Sequence, residues 1–359
     1  MKRKVLFGLL VATLVALFIG VWVKPATSAP AKPETIDIGF AHIWPATHMC
    51  HTEQFPRFFK KVEEATKGKY KLNIKYYPVG TLLGGAELYD GVVKGVVDAG
   101  CSVPSYTPGR FPVMMTLAQA GLAPPTSSDS GARIVWEFYK KYKPKEVEDL
   151  KVLYWYATGP GWLHTKTPVH KLEELKGLDI RATGASAVAI KAVGANPVAM
   201  PQGEVYLSAQ KGIVKASVAP LEVLQGFKQA EVFDYSTFVP FFYSEQFYMI
   251  MNWAKWNRLP KDLQAAFDGV AEAAMKEGGQ IWQHIQKLGM EYAKKKPKGH
   301  EFINLSKEEA DRWVALLETI KKEYIATLNG KGLPGEEIVK EAGKIAEKYN
   351  KQKYEPWKP

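Results

Sequence analysis

Arg181 is the residue whose setting most restricts its chemistry. It falls near the end of Leu178-Asp179-Ile180-Arg181-Ala182, which reads as a buried strand. A guanidinium taken out of water without a partner is costly. It must therefore meet a carboxylate, and its planar fork suits a two-point contact. That carboxylate belongs either to a ligand or to the chain itself, with Glu204 the candidate for an internal ion pair. A second cluster, His42, His48, Cys50 and His51, crowds one short loop. The His48-x-x-His51 spacing would allow metal ligation on a helix. No carboxylate falls at ligand spacing within the cluster, so His42 and His48 read better as cleft-lining groups that hydrogen-bond a ligand. No metal or other cofactor is expected. The run Gly80-Thr81-Leu82-Leu83-Gly84-Gly85 opens a helix, where amides could greet an anion, although a tight loop needs the same glycines. Signatures of phosphate-binding loops, nucleophile elbows, zinc helices and dithiol pairs are missing.

These residues need positioning elements, and the hydrophobic periodicity supplies them. Thr35–Ala41 reads as a buried strand, His51–Thr66 as a helix burying Phe55, Phe58, Phe59 and Val62, and Tyr70–Pro78 as a second strand. Glu87–Val97 reads as a helix burying Leu88, Val92, Val93 and Val96, and Asp98–Val103 as a third strand. This alternation demands a parallel sheet with helical crossovers, whose ligands sit beyond the carboxyl ends of the strands. The pattern restarts with strands at Lys151–Ala157 and Leu178–Ala182, a helix at Ala185–Val193, and extended segments at Asn196–Met200 and Lys215–Ala219. A helix is expected at Glu204–Lys211, with strands at Phe238–Phe242 and Gln246–Asn252. Two α/β units in series suggest two lobes facing a cleft. From Pro260 to Lys295 a single apolar stripe predicts a helix on the order of 50 Å long, which Gly278 and Gly279 could bend. Ser306 and Glu309 form a capping box before a helix that turns Trp313, Leu316, Leu317, Ile320 and Tyr324 inward. A last helix covers Glu336–Asn350.

The hydrophobic fraction of 46% fits a packed globular protein. Four of the net +11 charges are Lys2, Arg3, Lys4 and Lys24. The remainder is diffuse, suiting anionic ligands and giving no stripe for nucleic acid. Met1–Lys4 is a basic start, Val5–Val23 an almost unbroken apolar run, and Ala29-Pro30-Ala31 a cleavage site, the layout of a secretory signal peptide. A periplasmic, exported protein is expected, with an uncleaved anchor as the alternative. Cys50 and Cys101 allow one bridge but make no disulfide framework.

The run from Leu172 to Ala216 carries a further signal. It contains Leu175-Lys176-Gly177-Leu178-Asp179-Ile180-Arg181, then Gly194-Ala195-Asn196-Pro197-Val198-Ala199-Met200-Pro201, then Glu204-Val205-Tyr206 and Gln210-Lys211-Gly212. Upstream stand Gly84-Gly85-x-Glu87-Leu88 and Gly95-Val96-Val97-Asp98. In this order the motifs resemble the extracytoplasmic solute receptors of tripartite ATP-independent periplasmic (TRAP) transporters, the DctP-like dicarboxylate-receptor family. The resemblance covers essentially the whole chain beyond the leader. It implies an α/β, two-lobed periplasmic-binding-protein fold (type II-like) with a long helix spanning both lobes and C-terminal helices. Residues 1–31 would be the signal peptide and 32–156 lobe I, joined by the strand return and long helix at about 246–295. Residues 157–245 would form lobe II, and 296–359 the C-terminal helices. The implied role is non-enzymatic: a monomer binds a small-molecule carboxylate on Arg181, closes, and docks on the membrane subunits of a TRAP transporter. Gly85, Glu87, Glu204 and Tyr206 become site candidates through their motifs. Departures bear on the ligand. Gly161 stands where many members carry another arginine, and Ser217-Val218-Ala219-Pro220 lacks the amide found in many. Trp44, Tyr106, Trp155, Trp162, Phe241, Phe242 and Tyr243 offer aromatic surface near strand ends. A monocarboxylate with an apolar or aromatic body is therefore expected. The rival readings are a receptor for an ABC transporter and a secreted metal-dependent enzyme.

Overall fold

The three strands of the first alternation pair as their buried faces demand. In the computed structural model, which describes residues 32–356, β1 (Glu34–His42) lies between β2 (Tyr70–Tyr77) and β3 (Ala99–Ser102), parallel to both. The expected signal segment and tail residues 357–359 lie outside the described residues. A one-turn π-bulge at Cys50–Gln54 leads into α1 (Phe55–Ala65), which buries Phe55, Phe58, Phe59 and Val62 as its spacing predicts. The next helix, α2 (Leu88–Val93), is shorter than expected. It ends before Val96, which is 54% exposed.

A helix that the sequence reading did not place, α3 (Ser128–Tyr142), follows. Its amino end is closed by Ser127 and Ser130, each side chain accepting from the other's backbone N–H at 3.1 Å. Serine in place of Glu or Gln at the third helical position hid this cap from the usual signature. After β4 (Lys151–Ala157) the chain crosses to a second sheet and returns in β10 (Gln246–Met251). The first sheet has the order β2-β1-β3-β10-β4, with β10 antiparallel to both neighbours.

The second sheet holds β5 (Trp162–Thr165), β6 (Asp179–Arg181), β7 (Asn196–Val198), β8 (Ala216–Ala219), β9 (Tyr235–Phe238) and β11 (Glu301–Asn304). Its order is β11-β9-β5-β8-β6-β7, with helices α4 (Gly184–Ala192), α5 (Val205–Gln210) and α6 (Val223–Gly226) in its connections. The strand expected at Phe238–Phe242 instead ends at Phe238, and β5 and β11 were not foreseen. Strands of three or four residues have too few alternations to show a period.

Past the short α7 (Trp253–Arg258), α8 (Lys261–Lys294) packs on α1, α3 and β4 of the first lobe and on α6 of the second. It runs unbroken through Gly278 and Gly279. Those glycines answer crowding: a Cβ on Gly279 would stand 3.1 Å from both Asp129 Cα and Ser128 O. Two further helices, α9 (Lys307–Gly330) and α10 (Gly335–Asn350), pack on α4 and α3 respectively. Only half of the Ser306–Glu309 capping box forms. Ser306 Oγ accepts from Glu309 N–H, while the Glu309 carboxylate accepts from Leu172 N–H and Trp313 Nε1. Leu316, expected inward, is 37% exposed. Among the described residues no helix is long and apolar enough to cross a membrane.

Candidate functional site

The chain passes between its sheets three times, after β4, before β10 and through α8 to β11, and the first two of these segments are bonded to each other. Thr158 N–H donates to Glu245 O at 2.9 Å, and Glu245 N–H donates to Thr158 Oγ1 at 3.2 Å. A small cavity of about 30 Å³ opens beside this crossover. Trp44 and Tyr106 come to it from the first lobe, Arg181 and Glu222 from the second, and Trp282 from α8. Tyr106 also ties the lobes together, because its hydroxyl accepts from Gln202 N–H at 2.8 Å. An apolar cavity that holds a benzene-sized ring is on the order of 150 Å³. A ring of that size would fit only if the walls parted, as lobe opening about the crossover would allow.

Arg181 ends β6 between β7 and β8, and is 3% exposed. Its Nε donates to Met200 O at 3.1 Å and one terminal nitrogen to Val218 O at 3.4 Å. No carboxylate among the described residues forms an ion pair with it, and Glu204 is exposed. The internal salt bridge considered from sequence is therefore not formed. The backbone carbonyls aim the fork toward the cavity, where the Tyr106 hydroxyl also bonds it.

Two acids that the sequence reading missed share this space. Glu245 is 6% exposed, and its carboxyl accepts from Ser105 Oγ and from Gln246 N–H. Burial pushes its pKa up to about 7, against the pull of the Ser105 bond and the Arg181 charge. A ligand carboxylate arriving beside it would penalise its ionised form further, so binding should take up a proton. Affinity for benzoate, followed by titration calorimetry between about pH 6 and 8.5, is expected to fall above pH 7 by up to about tenfold per unit. Glu245→Gln should flatten that profile; a slope unchanged in the variant would assign the proton elsewhere.

Three of the candidate site residues line the cavity, Arg181, Trp44 and Tyr106, and so does Tyr243 from the aromatic set. Others support it from behind. His42 is 1% exposed and does not line the cavity. Its Nδ1 accepts from Trp44 N–H, and its Nε2 lies 2.9 Å from His51 Nδ1. Burial, then the nearby imidazoles of His51 and His48, depress its pKa to about 3, so it stays neutral. His48 is likewise outside the lining, with its Nε2 3.9 Å from Glu222 Oε1. Gly85 seats Tyr106, since a Cβ there would meet that ring at 2.6 Å. The remaining candidates lie away from the cavity. Glu87 and Glu204 are exposed, and Tyr206 bonds Glu231 on the surface. Trp155 packs on Tyr139 and Tyr248, Trp162 on Phe238 and Phe302, and Phe242 on Trp313. These aromatics went to core packing because strand ends on the covered faces of a sheet are as apolar as its middle.

Gly161, where the resemblance implied an arginine in many relatives, faces Tyr243: a Cβ at Gly161 would lie 2.4 Å from the Tyr243 Cβ. The tyrosine fills the space a larger residue would need. Cys50 and Cys101 are buried free thiols. Among the described residues no group of three His, Cys, Asp or Glu side chains is arranged to hold a metal.

Two α/β lobes, a paired crossover between them and a buried cation in the cavity beside it define a solute receptor of the periplasmic-binding-protein kind. The chain belongs to the bacterial extracellular solute-binding proteins, family 7 (DctP), whose profile matches residues 40–327. A 2,3-diketo-L-gulonate-binding periplasmic protein of Escherichia coli (strain K12) is 28% identical over 230 residues, 61% of this chain and 66% of that one. The chain thus spans just under two thirds of that curated relative's length. A TRAP periplasmic solute binding protein from Desulfovibrio salexigens has 30% identity and a TM-score of 0.76, covering 89% of this chain and 98% of that one. A marine metagenome TRAP solute binding protein specific for aromatic acid ligands, in complex with 3-hydroxybenzoate, has 27% identity and a TM-score of 0.82. That match covers 89% of this chain and 100% of the other.

Proposed function

We propose that this protein is an extracytoplasmic receptor that captures an organic monocarboxylate on Arg181 and delivers it to the membrane subunits of a TRAP-type transporter. One observation carries the reading. A buried guanidinium, aimed by two backbone carbonyls and ion-paired with no carboxylate among the described residues, faces a cavity walled by aromatic rings. An anion is the partner that such a group lacks. Trp44, Phe247 and Trp282 supply apolar surface for the ligand's body, and the aromatic-acid specificity of the marine relative supports that choice. The role requires export, in keeping with the signal-like start of the chain.

Melting the purified protein with a panel of acids tests the reading. Benzoate, 3-hydroxybenzoate or a branched 2-oxo acid at about 100 times its Kd should add roughly 2.7 kcal/mol of stability, a Tm rise of several degrees. A rise with succinate or malate alone would overturn the monocarboxylate assignment.

A further inference from the structure

Glu222 is the one carboxyl on the cavity wall with a buried oxygen that no described residue bonds. It stands immediately before α6, is 3% exposed, and lines the cavity with Arg181. Its Oε2 has no hydrogen-bond partner. Its Oε1 faces His48, whose Nδ1 accepts from Cys50 N–H at 3.1 Å, so the His48 hydrogen sits on Nε2. That Nε2 is 3.9 Å from Oε1, beyond hydrogen-bond reach. Gly226 brings the imidazole this close, since a Cβ there would stand 2.6 Å from the His48 ring.

The protonation state follows from the company Glu222 keeps. Burial holds His48 neutral, with a pKa of about 3. Burial also raises the Glu222 carboxyl well above the usual carboxylate range, while the Arg181 charge pulls the other way. Glu245, on the same wall, offers no positive charge, and Tyr243 is neutral. Once a ligand carboxylate occupies Arg181, that pull is neutralised, and an ionised Glu222 would be an uncompensated anion in a closed cavity. The protonated acid carries one O–H donor and needs an acceptor.

Resting on the carboxylate reading above, we infer that Glu222 is a specificity-determining residue that donates a hydrogen bond to a second oxygen of the ligand, one close to its carboxylate. The receptor then selects 2-oxo or 2-hydroxy acids over their deoxy counterparts and rejects 2-ammonium acids, whose cation would demand an ionised Glu222.

Three acids that differ at one carbon test this: 4-methylpentanoate, 4-methyl-2-oxopentanoate and leucine, titrated calorimetrically at neutral pH into the full chain without its leader. The oxo acid should bind at least about tenfold tighter than the alkanoate, because a buried donor left unpaired discriminates strongly. Leucine should not bind. Glu222→Gln keeps an N–H donor and should hold the preference within about threefold. Glu222→Leu should bring the ratio close to one without weakening the alkanoate. A wild-type ratio near one, a preference surviving in Glu222→Leu, or tightest binding of leucine would each overturn the inference. Equal binding of the two acids leaves the carboxylate receptor standing; if neither binds and benzoate gives no Tm rise, that reading falls with it. Should Glu222→Leu fail to fold, the wild-type ratio and Glu222→Gln still decide.

Discussion

Arg181→Ala will lose monocarboxylate affinity by a factor on the order of 10²–10³ or more, the roughly 3–4 kcal/mol expected when one partner of a buried charge pair is removed. The size follows from the cavity. With water excluded and no other cation on the wall, the ligand carboxylate would lose its only charged partner. Arg181→Lys should fall between, since a point charge on a flexible stem cannot reproduce the aimed fork. The fold should survive. The alanine variant leaves Met200 O and Val218 O unpaired, at about 1–3 kcal/mol each, and relieves the desolvation of the buried guanidinium. Calorimetric titration with benzoate, beside thermal melts of each variant, measures both effects. A folded Arg181→Ala protein that binds as tightly as wild type would sink the assignment.

Gly289→Ala will destabilise the protein, although alanine is by far the better helix former. In α8 its Cβ would lie 2.1 Å from Leu221 O and 3.1 Å from Glu222 Cα. Those are backbone atoms, which cannot swing aside as a side-chain tip can. Overpacking of this kind costs about 1–3 kcal/mol or more, against a helix-propensity gain of about 1 kcal/mol. We expect a net loss of about 1–2 kcal/mol in denaturant melts. Ligand affinity should fall with it, because the displaced backbone carries Pro220 and Glu222 into the cavity wall. Gly269 provides the control. It lies in the same helix with nothing within 4 Å of its would-be Cβ. Gly269→Ala should therefore stabilise by about 0.5–1 kcal/mol. If both substitutions behaved alike, helix propensity would explain the result and the close crossing would be irrelevant.

Much of this architecture could be read before any coordinates. The strands at Glu34–His42 and Tyr70–Tyr77 and the helix at Phe55–Ala65 announce themselves because their apolar residues repeat over several periods. The long helix does so too, since one stripe continues over 34 residues. Arg181 was legible for a different reason: a cation in an apolar strand conflicts with its own surroundings, and only a partner resolves the conflict. Weak periods were not legible. Strands β5 and β9 have four residues each, and α3 is capped by a serine pair.

Most of the cavity wall could not be found in this way. Glu222 and Glu245 occupy stretches of ordinary composition, and a carboxylate in a loop looks solvated until the fold buries it. Aromatic residues were equally ambiguous. Trp44 and Tyr106 reach the cavity, while Trp155 and Phe242 fill the cores. The sequence by itself determined the two α/β units, the long helix and the buried cation, because local periodicity and local conflict are written residue by residue. Only the tertiary structure decided which acids and rings stand around that cation, because their neighbours come from segments well over a hundred residues away. Bringing those segments together is the work of the crossover at Thr158 and Glu245 and of the glycine-tight approach of α8 to Leu221.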